Sequence, residues 1–317
     1  MPVDNLYYKR GTEMGTRIVT DIAGLKIANP TILASGILGY TGLSLKSVID
    51  AGAGAIVTKS MGLKPRTGYL NPTVVQTECG LLNAMGLPNA GINQFKEELT
   101  QLKNSKAPCI VSIYGFSSEE FGKVAETALK LGADALELNV SCPHIKKAGA
   151  EIGCDPFLLK EVVEEVKKKV DKPVFVKLTP NVTNIAEIAR VVEKAGADAI
   201  TAVNTFKAMA IETETGRPIL ANKFGGLSGP AVKPIAVRCV YDIYSSVDIP
   251  IIGCGGISSW QDAVEFMLAG ASAIQIGTAV AFKGVEVFGS ISRGIEAYLK
   301  RKDFMNVKDI VGLAHRF

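Results

Sequence analysis

Two short segments in the last quarter of the chain have the residue types of a phosphate-binding site. Gly255-Gly256 and Gly277-Thr278 each follow an apolar run that is typical of a buried strand. Because glycine has no side chain, its backbone N–H group can approach a phosphate, and the N-terminus of a following helix adds a favourable dipole. The pattern predicts a ligand that carries one phosphate. Glycines that only permit tight turns are the alternative interpretation.

Two lysines lie within or directly after apolar runs. Lys177 is part of the run 174–179, where a buried charge is costly unless an acceptor meets it. The edge of a flavin ring that gains negative charge on reduction would be such an acceptor, and a structural salt bridge would provide another. A desolvated lysine can also act as a Schiff-base nucleophile. Lys59 presents the same three alternatives.

Cys142 directly follows another apolar run, and Pro143 ends regular structure after it. A cysteine thiol has a free pKa of about 8.5 that its surroundings can lower, so Cys142 could act as a general base. The alternative, which is favoured for the other five cysteines, is a small buried hydrophobe in a reducing compartment. The sequence has no CxxC pair, and its only histidines are His144 and His315. These facts argue against a zinc or iron–sulfur site built from this chain alone.

Four similar segments indicate how these residues are positioned. Each follows an amphipathic helical stretch, contains a glycine suited to a helix C-terminal cap and opens an apolar run. The segments recur at intervals of about 65 to 80 residues, or roughly two strand–helix units, which favours a barrel or another repeating α/β fold. They are Ala51-Gly52-Ala53-Gly54-Ala55-Ile56, Leu131-Gly132-Ala133-Asp134-Ala135-Leu136, Ala195-Gly196-Ala197-Asp198-Ala199-Ile200 and Ala269-Gly270-Ala271-Ser272-Ala273-Ile274.

Eight apolar runs of strand length alternate with helical stretches. Such runs predict a parallel sheet covered on both faces, and eight of them fit a closed (β/α)8 barrel better than an open sheet. No GxGxxG opens a helix after the first strand, which disfavours a dinucleotide-binding sheet. The connections 61–108 and 206–230 are long, and 18–29 could form a short hairpin that closes the barrel bottom. The predicted strands begin near Thr31, Ala55, Cys109, Ala135, Val174, Ala199, Ile249 and Ala273.

Polar residues collect at the C-terminal ends of these strands, on the face where α/β barrels place their active sites. One such residue would mean little, but all eight strand ends together predict a ligand site at the top of the barrel. The residues are Ser35 and Gly36, Lys59 and Ser60, Ser112, Asn139 with Ser141 and Cys142, Lys177, Asn204 with Thr205, Gly255 with Gly256, and Gly277 with Thr278.

The composition limits the possible classes of protein. The chain has 317 residues without a linker or low-complexity segment, so we expect a polar N-terminal extension, 1–17, and a single catalytic domain, 18–317. The net charge of +4, from 35 Lys+Arg against 31 Asp+Glu, is not the basic footprint of a nucleic-acid-binding protein. No apolar stretch reaches the roughly 20 residues that cross a bilayer. A cytoplasmic protein that binds neither nucleic acid nor membrane is expected.

The motifs jointly resemble those of the class 1 dihydroorotate dehydrogenases and, among these, the class 1B type. The resemblance runs from about residue 18 to about residue 299. The segments that carry it are Asn29-Pro30 through Ala34-Ser35-Gly36, Thr58-Lys59-Ser60, Asn83-Ala84-Met85-Gly86-Leu87, Glu137-Leu138-Asn139-Val140-Ser141-Cys142-Pro143, Val176-Lys177-Leu178, Val203-Asn204-Thr205, Gly225-Gly226-Leu227-Ser228-Gly229-Pro230, Gly255-Gly256-Ile257 and Gly277-Thr278.

The resemblance implies a (β/α)8 barrel that binds FMN, needs no metal and oxidises dihydroorotate to orotate in pyrimidine biosynthesis. Cys142 would be the base that removes a proton from C5, while the hydride at C6 passes to flavin N5. The implied flavin contacts are Ser35, Lys59, Ser60, Asn139, Lys177, Val203, Gly229, Gly255, Gly256, Gly277 and Thr278. The implied pyrimidine contacts are Lys59, Asn83, Ala84, Met85, Gly86, Leu87, Asn139, Asn204 and Thr205.

The resemblance also implies an assembly and an electron acceptor. A homodimer is expected, together with a second subunit that carries FAD and an iron–sulfur cluster, forms a heterotetramer with it and passes electrons to NAD. Cluster ligands are not visible in this sequence, as expected of a catalytic subunit that relies on such a partner. Fumarate or another soluble acceptor is the alternative.

Two positions depart from the family pattern. Ser112 stands where many class 1B sequences have an asparagine that contacts the flavin, although a hydroxyl can still form a hydrogen bond. His144 stands where most dihydroorotate dehydrogenases have a substrate-binding asparagine. Cys142-Pro143-His144 and the run 178–183 are similar to the flavin domain of dihydropyrimidine dehydrogenases. A flavin subunit that acts on uracil or thymine is therefore an alternative function, and a Schiff-base lyase on a phosphate-binding barrel is another.

Overall fold

The computed structural model describes residues 18–102, 105–140 and 150–317. The N-terminal extension lies outside these residues, so the division of the chain into an extension and one domain stays a prediction. The strands of the described residues are β1 (Thr20–Ile22), β2 (Leu25–Ile27), β3 (Thr31–Leu33), β4 (Ala55–Val57), β5 (Val74–Thr77), β6 (Gly80–Asn83), β7 (Cys109–Ile113), β8 (Ala135–Asn139), β9 (Val174–Leu178), β10 (Ala199–Ala202), β11 (Phe206–Met209), β12 (Ile211–Glu212), β13 (Arg217–Pro218), β14 (Phe224–Ser228), β15 (Ile251–Cys254) and β16 (Ala273–Ile276).

Eight parallel strands close into a barrel in the order β3, β4, β7, β8, β9, β10, β15 and β16, and β16 pairs with β3. Their residues are buried almost throughout, because side chains fill the barrel and helices cover it. The predicted (β/α)8 barrel is therefore confirmed. Seven of these strands begin at the predicted residue. The eighth, β15, begins at Ile251 rather than Ile249, because Pro250 has no N–H to donate to the sheet.

Helices follow the barrel strands and form the outer layer. The glycines of the four repeated segments stand at or just after helix ends, with φ values of +97°, +101°, +95° and +126°. These values confirm the predicted caps, because only glycine adopts such angles readily. The helices of the described residues are α1 (Gly42–Asp50), α2 (Lys96–Thr100), α3 (Ser118–Lys130), α4 (Ala150–Cys154), α5 (Pro156–Lys169), α6 (Ile185–Lys194), α7 (Lys233–Tyr244), α8 (Trp260–Ala269), α9 (Ala279–Lys283) and α10 (Val287–Arg301). Short 3₁₀ helices span Ile92–Phe95, Pro230–Val232, Val307–Ile310 and Leu313–Arg316.

The segment before the first barrel strand forms the predicted hairpin. β1 and β2 pair antiparallel, with Thr20 opposite Ile27. The side chains of Ile22, Leu25 and Ile27 pack against the inward-facing residues near the starts of the barrel strands, among them Phe175. The hairpin therefore closes the bottom of the barrel and leaves the opposite end for a ligand.

The two long connections meet at that opposite end. β5 and β6 from the first connection join β11 and β14 from the second in an antiparallel sheet of order β11-β14-β6-β5. We call this sheet the roof. Leu82 pairs with Leu227 across the two connections, and a small core of Leu82, Ala84 and Leu220 lies within the roof. The sequence predicted the length of both connections but not their pairing.

Among the residues that the structure describes, no helix combines the length and the apolar surface needed to cross a membrane. The same residues contain no cluster of three or more His, Cys, Asp or Glu side chains that could hold a metal ion.

Asp198 of the third repeated segment links the start of β10 to the start of β9 through hydrogen bonds. Its carboxylate accepts a hydrogen bond from the N–H of Val174 at 2.8 Å and contacts Lys167 Nζ at 2.6 Å. Its own N–H donates to the carbonyl of Val174. Asp134 does the same for Cys109 in the second segment. The aspartate in Gly-Ala-Asp is therefore a clamp at the start of a barrel strand.

Replacing Asp198 with alanine should lower the free energy of unfolding by about 1–3 kcal/mol, because the N–H of Val174 loses its acceptor. Urea denaturation would measure the change. The matched control is Asp171→Ala, at an exposed position in the turn before β9, which should stay within about 0.5 kcal/mol of the parent chain. Equal urea midpoints for the two variants would contradict this role of Asp198.

Candidate active site

A cavity of about 640 Å³ lies between the top of the barrel and the roof. Its size is that of a typical cofactor site. Every barrel strand contributes to its lining through the residues at or just after its C-terminal end. They are Ser35 and Gly36, Lys59 and Ser60, Ser112, Asn139, Lys177, Val203 with Asn204 and Thr205, Gly255 with Gly256, and Gly277 with Thr278.

The roof contributes the opposite wall of the cavity. Asn83, Met85, Gly86 and Leu87 line it, as does Gly229, which follows β14. Asn83 Nδ2 donates to the carbonyl of Gly226 at 3.1 Å, so the two connections are tied together beside the cavity. Ala84 differs from its neighbours, because its side chain is buried in the small core of the roof and is not part of the lining.

Three of the predicted residues that follow β8 cannot be placed. Ser141, Cys142 and His144 lie outside the described residues. β8 ends at Asn139, which is 8% exposed and lines the cavity. The C-terminal end of β8 therefore lies at the cavity wall.

A hydrogen-bonded group of hydroxyl and amide side chains occupies one side of the cavity. Ser60 Oγ lies 2.9 Å from Ser112 Oγ and 3.3 Å from Ser35 Oγ, and it accepts a hydrogen bond from Asn139 Nδ2 at 3.0 Å. Asn139 Oδ1 in turn faces Asn204 Nδ2 at 3.5 Å. The amide of Asn139 is therefore held at both ends, by Ser60 and by Asn204. Ser112 thus supports Ser60 from within the barrel.

The barrel interior beneath the cavity holds a buried charge pair. Lys177 Nζ donates to Gln275 Oε1 at 2.8 Å and lies 3.7 Å from Glu137 Oε1. Burial alone would lower the pKa of Lys177, but the negative charge of the nearby Glu137 counters this effect, and the pKa is held above its ordinary value. Burial raises the pKa of the Cys254 thiol. Lys177 is therefore a protonated ammonium group at neutral pH, which is unfavourable for a Schiff-base nucleophile.

The other end of the cavity is made of backbone. Gly229, Gly255 and Gly256 have φ values of +101°, +137° and +78°. A Cβ on Gly256 would lie 2.8 Å from the carbonyl oxygen of Gly229, and one on Gly255 would lie 2.6 Å from Ala236 Cβ. The backbone around these three glycines, which we call the glycine cradle, is therefore packed closely, as a phosphate-binding site requires. Thr278 Oγ1 lies nearby and donates to Ser228 Oγ at 2.7 Å.

These features together fit a phosphorylated ring cofactor. The cradle suits one phosphate, and the buried Lys177 with the donors of Ser60 and Asn139 suits a polar ring edge that gains negative charge. The sequence contains no GxGxxG dinucleotide fingerprint beside the cradle, which favours a mononucleotide.

A family model described as dihydroorotate dehydrogenase matches residues 17–299. The chain belongs to the dihydroorotate dehydrogenase family. Curated relatives named "Dihydroorotate dehydrogenase B (NAD(+)), catalytic subunit" cover nearly the whole chain. That of Methanocella arvoryzae is 53% identical over 95% of this chain and 98% of its own. That of Pyrococcus abyssi is 56% identical over 93% and 98%, and that of Methanosarcina mazei 54% over 93% and 94%.

Not every residue of the cavity could be assigned from the sequence motifs. Glu137 and Gln275 were not predicted as site residues, although both lie buried at the floor of the cavity. The available signal was a single polar residue inside each of the apolar strands β8 and β16. The same reasoning that singled out Lys177 in β9 applies to them, because a buried polar group needs a partner.

Proposed function

We propose that this chain is the FMN-dependent catalytic subunit of a dihydroorotate dehydrogenase that oxidises dihydroorotate to orotate in pyrimidine biosynthesis. The observation that carries the proposal is the cavity itself. A glycine cradle, a buried ammonium group and a set of fixed amide donors line one space at the top of the barrel. Membership of the dihydroorotate dehydrogenase family and the names of the relatives support the same substrate.

FMN is proposed to lie with its phosphate in the glycine cradle and its ring beside Lys177. Bound FMN supplies the acceptor for the two electrons that the oxidation releases. The residues proposed to hold it are Ser35, Lys59, Ser60, Asn139, Lys177, Val203, Gly229, Gly255, Gly256, Gly277 and Thr278, all of which line the cavity. The protonated Lys177 would offset the negative charge gained on reduction.

The substrate is proposed to bind between the flavin site and the roof. Its carboxylate needs a cation or aimed N–H donors. Lys59, which is 6% exposed, and the backbone at Met85 provide these groups. Asn139 and Asn204 orient the pyrimidine ring through their linked amides, with Asn83, Gly86, Leu87 and Thr205 as further contacts. For Ala84 only a backbone contact fits, since its side chain is in the roof core.

Cys142 is proposed as the general base that takes the proton from C5 of dihydroorotate. Its thiolate would take only the proton, and bound FMN would supply the acceptor for the hydride from C6, so that proton and hydride need no shared site. The described end of β8, two residues before Ser141, brings the chain to the cavity wall at Asn139.

The electrons are proposed to leave through a partner. The relatives' names contain "NAD(+)" and "catalytic subunit", which supports a second subunit that passes electrons to NAD. We propose that this subunit carries FAD and an iron–sulfur cluster, that the catalytic chain forms a homodimer within a heterotetramer, and that the complex is cytoplasmic. Size-exclusion chromatography of the two subunits expressed together would test the assembly.

The purified chain should be yellow, and its heat-released cofactor should run as FMN on chromatography. Addition of dihydroorotate without oxygen should bleach the flavin absorbance. FAD, or no flavin in folded protein, would contradict the proposal. A colourless protein that borohydride traps covalently with a carbonyl substrate would instead favour the lyase alternative.

A further inference from the structure

Glu137 is a carboxylate sealed inside the barrel, with no exposed surface. Its Oε2 accepts hydrogen bonds from Thr201 Oγ1 at 2.9 Å and from Gln275 Nε2. Its Oε1 is buried and, within the described residues, has no hydrogen-bond partner. Among the ion pairs of the described residues, the partner of that oxygen is Lys177 Nζ at 3.7 Å. Because a buried carboxylate is costly without compensation, this arrangement indicates that Glu137 acts on Lys177.

Gln275 connects Glu137 to Lys177 by a second route. A carboxylate can only accept hydrogen bonds, so Gln275 must turn its NH₂ group toward Glu137. Its Oε1 then faces Lys177 Nζ, from which it accepts at 2.8 Å. Glu137 and Lys177 therefore hold the Gln275 amide in the same orientation from its two ends.

The charge balance of this group depends on Glu137. In the part of the chain that the structure describes, Glu137 from β8, Lys177 from β9 and Cys254 from β15 interact beneath the cavity. Burial raises the pKa of the Cys254 thiol, so the thiol is neutral near pH 7. Lys59 also lines the cavity but adds a positive charge. Glu137 is thus the counter-charge of Lys177.

We propose that Glu137 is a positioning residue, which orients Gln275 and balances the charge of Lys177 so that Lys177 is held as a protonated donor at the floor of the cavity. The inference rests on the proposed function, because it assigns the donor to the FMN site. It predicts that Glu137 controls the reduction potential of the bound flavin without touching the flavin.

The test is Glu137→Gln, which keeps the shape of the side chain and removes its charge. The variant should still bind FMN. At pH 6.5 its flavin potential should be more positive than that of the parent chain, because one buried negative charge near the flavin is gone. Without its counter-charge, Lys177 should lose its proton at a lower pH. Above that pH, reduction of the flavin should be accompanied by the uptake of one extra proton at Lys177. The reduction potential should therefore fall more steeply as the pH rises.

The measurement is equilibrium reduction against reference dyes between pH 6 and pH 9. Glu164→Gln is the matched control, since Glu164 is a partly exposed surface residue that pairs only with Lys160 among the ion pairs of the described residues. The control and the parent chain should give the same plot of reduction potential against pH, with no change of slope. Glu137→Asp keeps the charge and should also show no change of slope. A purely structural Glu137 would lower stability but leave the pH dependence of the potential unchanged.

A second variant covers the case in which Glu137→Gln does not fold. Thr201→Val removes the hydroxyl dipole that donates to Glu137 Oε2, so the charge of the carboxylate is offset less and the flavin potential should turn more negative across the range. Curves of both variants that coincide with the parent curve would overturn the inference. A parent chain that carries no flavin would instead overturn the proposed function and, with it, this inference.

Discussion

Replacing Cys142 with alanine should slow the reduction of the flavin by dihydroorotate by about a hundredfold or more, which is a normal contribution of a general base. FMN should stay bound, because none of the proposed flavin contacts is removed. Anaerobic stopped-flow absorbance, with the substrate mixed against oxidised protein, would measure the rate. Near-normal reduction by the alanine variant at neutral pH would rule out Cys142 as the base.

Two further variants sharpen the test of Cys142. Cys142→Ser should retain some activity, displaced to higher pH, because a hydroxyl is a weaker acid than a thiol and yields its conjugate base only under more alkaline conditions. Cys154→Ala is the matched control, since Cys154 is an exposed cysteine that does not line the cavity. It should reduce at the parent rate.

Dihydroorotate should reduce the flavin at least about a hundredfold faster than dihydrouracil at equal concentration, because a site built for a carboxylate leaves its polar groups unpaired when the carboxylate is missing. The cation Lys59 lines the cavity, and the segment 83–87 carries no charged side chain. His144 favours the other substrate class, since Cys142-Pro143-His144 is similar to a motif of the dihydropyrimidine dehydrogenases. We give the absence of an acidic side chain in 83–87 more weight than the presence of His144. The reason is that an imidazole can replace the hydrogen-bond donor of an asparagine amide.

The segment 83–87 allows a direct test of that judgement. Met85 is half-buried and lines the cavity. Met85→Glu should lower kcat/KM for dihydroorotate at least about tenfold relative to Met85→Gln, its neutral control, because juxtaposed like charges cost several kcal/mol. Dihydrouracil should be affected equally by both changes. His144→Asn should keep the preference for dihydroorotate. Equal or reversed rates of the parent chain with the two substrates would assign it to the alternative, a dihydropyrimidine dehydrogenase-like subunit.

The barrel could be predicted from local sequence. Short apolar runs such as 199–202 and 273–276 stand directly after glycine caps, so both the type of element and its first residue follow from nearest neighbours. The direction of parallel strands then places the residue after each strand at the same end of the barrel. That is why Ser35, Asn139 and Gly277 could be assigned to one site before any contact was known.

The roof could not be predicted, because its strands come from connections far apart in the chain. Asn83 and Gly226 are 143 positions apart, and neither sequence segment contains a signal for the other. The outer roof strands β5 and β11 alternate only between half-buried and exposed residues, without a fully buried position. The burial of Ala84 in the roof, beside cavity-lining neighbours, depends on this pairing and on nothing within 83–87.

By itself the sequence determined that Lys177 is buried and needs a partner, and it left a flavin, a salt bridge and a Schiff base as alternatives. The tertiary structure decided that Lys177 has an acid within reach, since β8, β9 and β16 bring Glu137 and Gln275 to it from 40 and 98 positions away. A local pattern reports how deeply a residue is buried, because burial follows the period of its own strand. Which charges share the interior is set by the order in which strands close the barrel, and this order is a property of the whole chain.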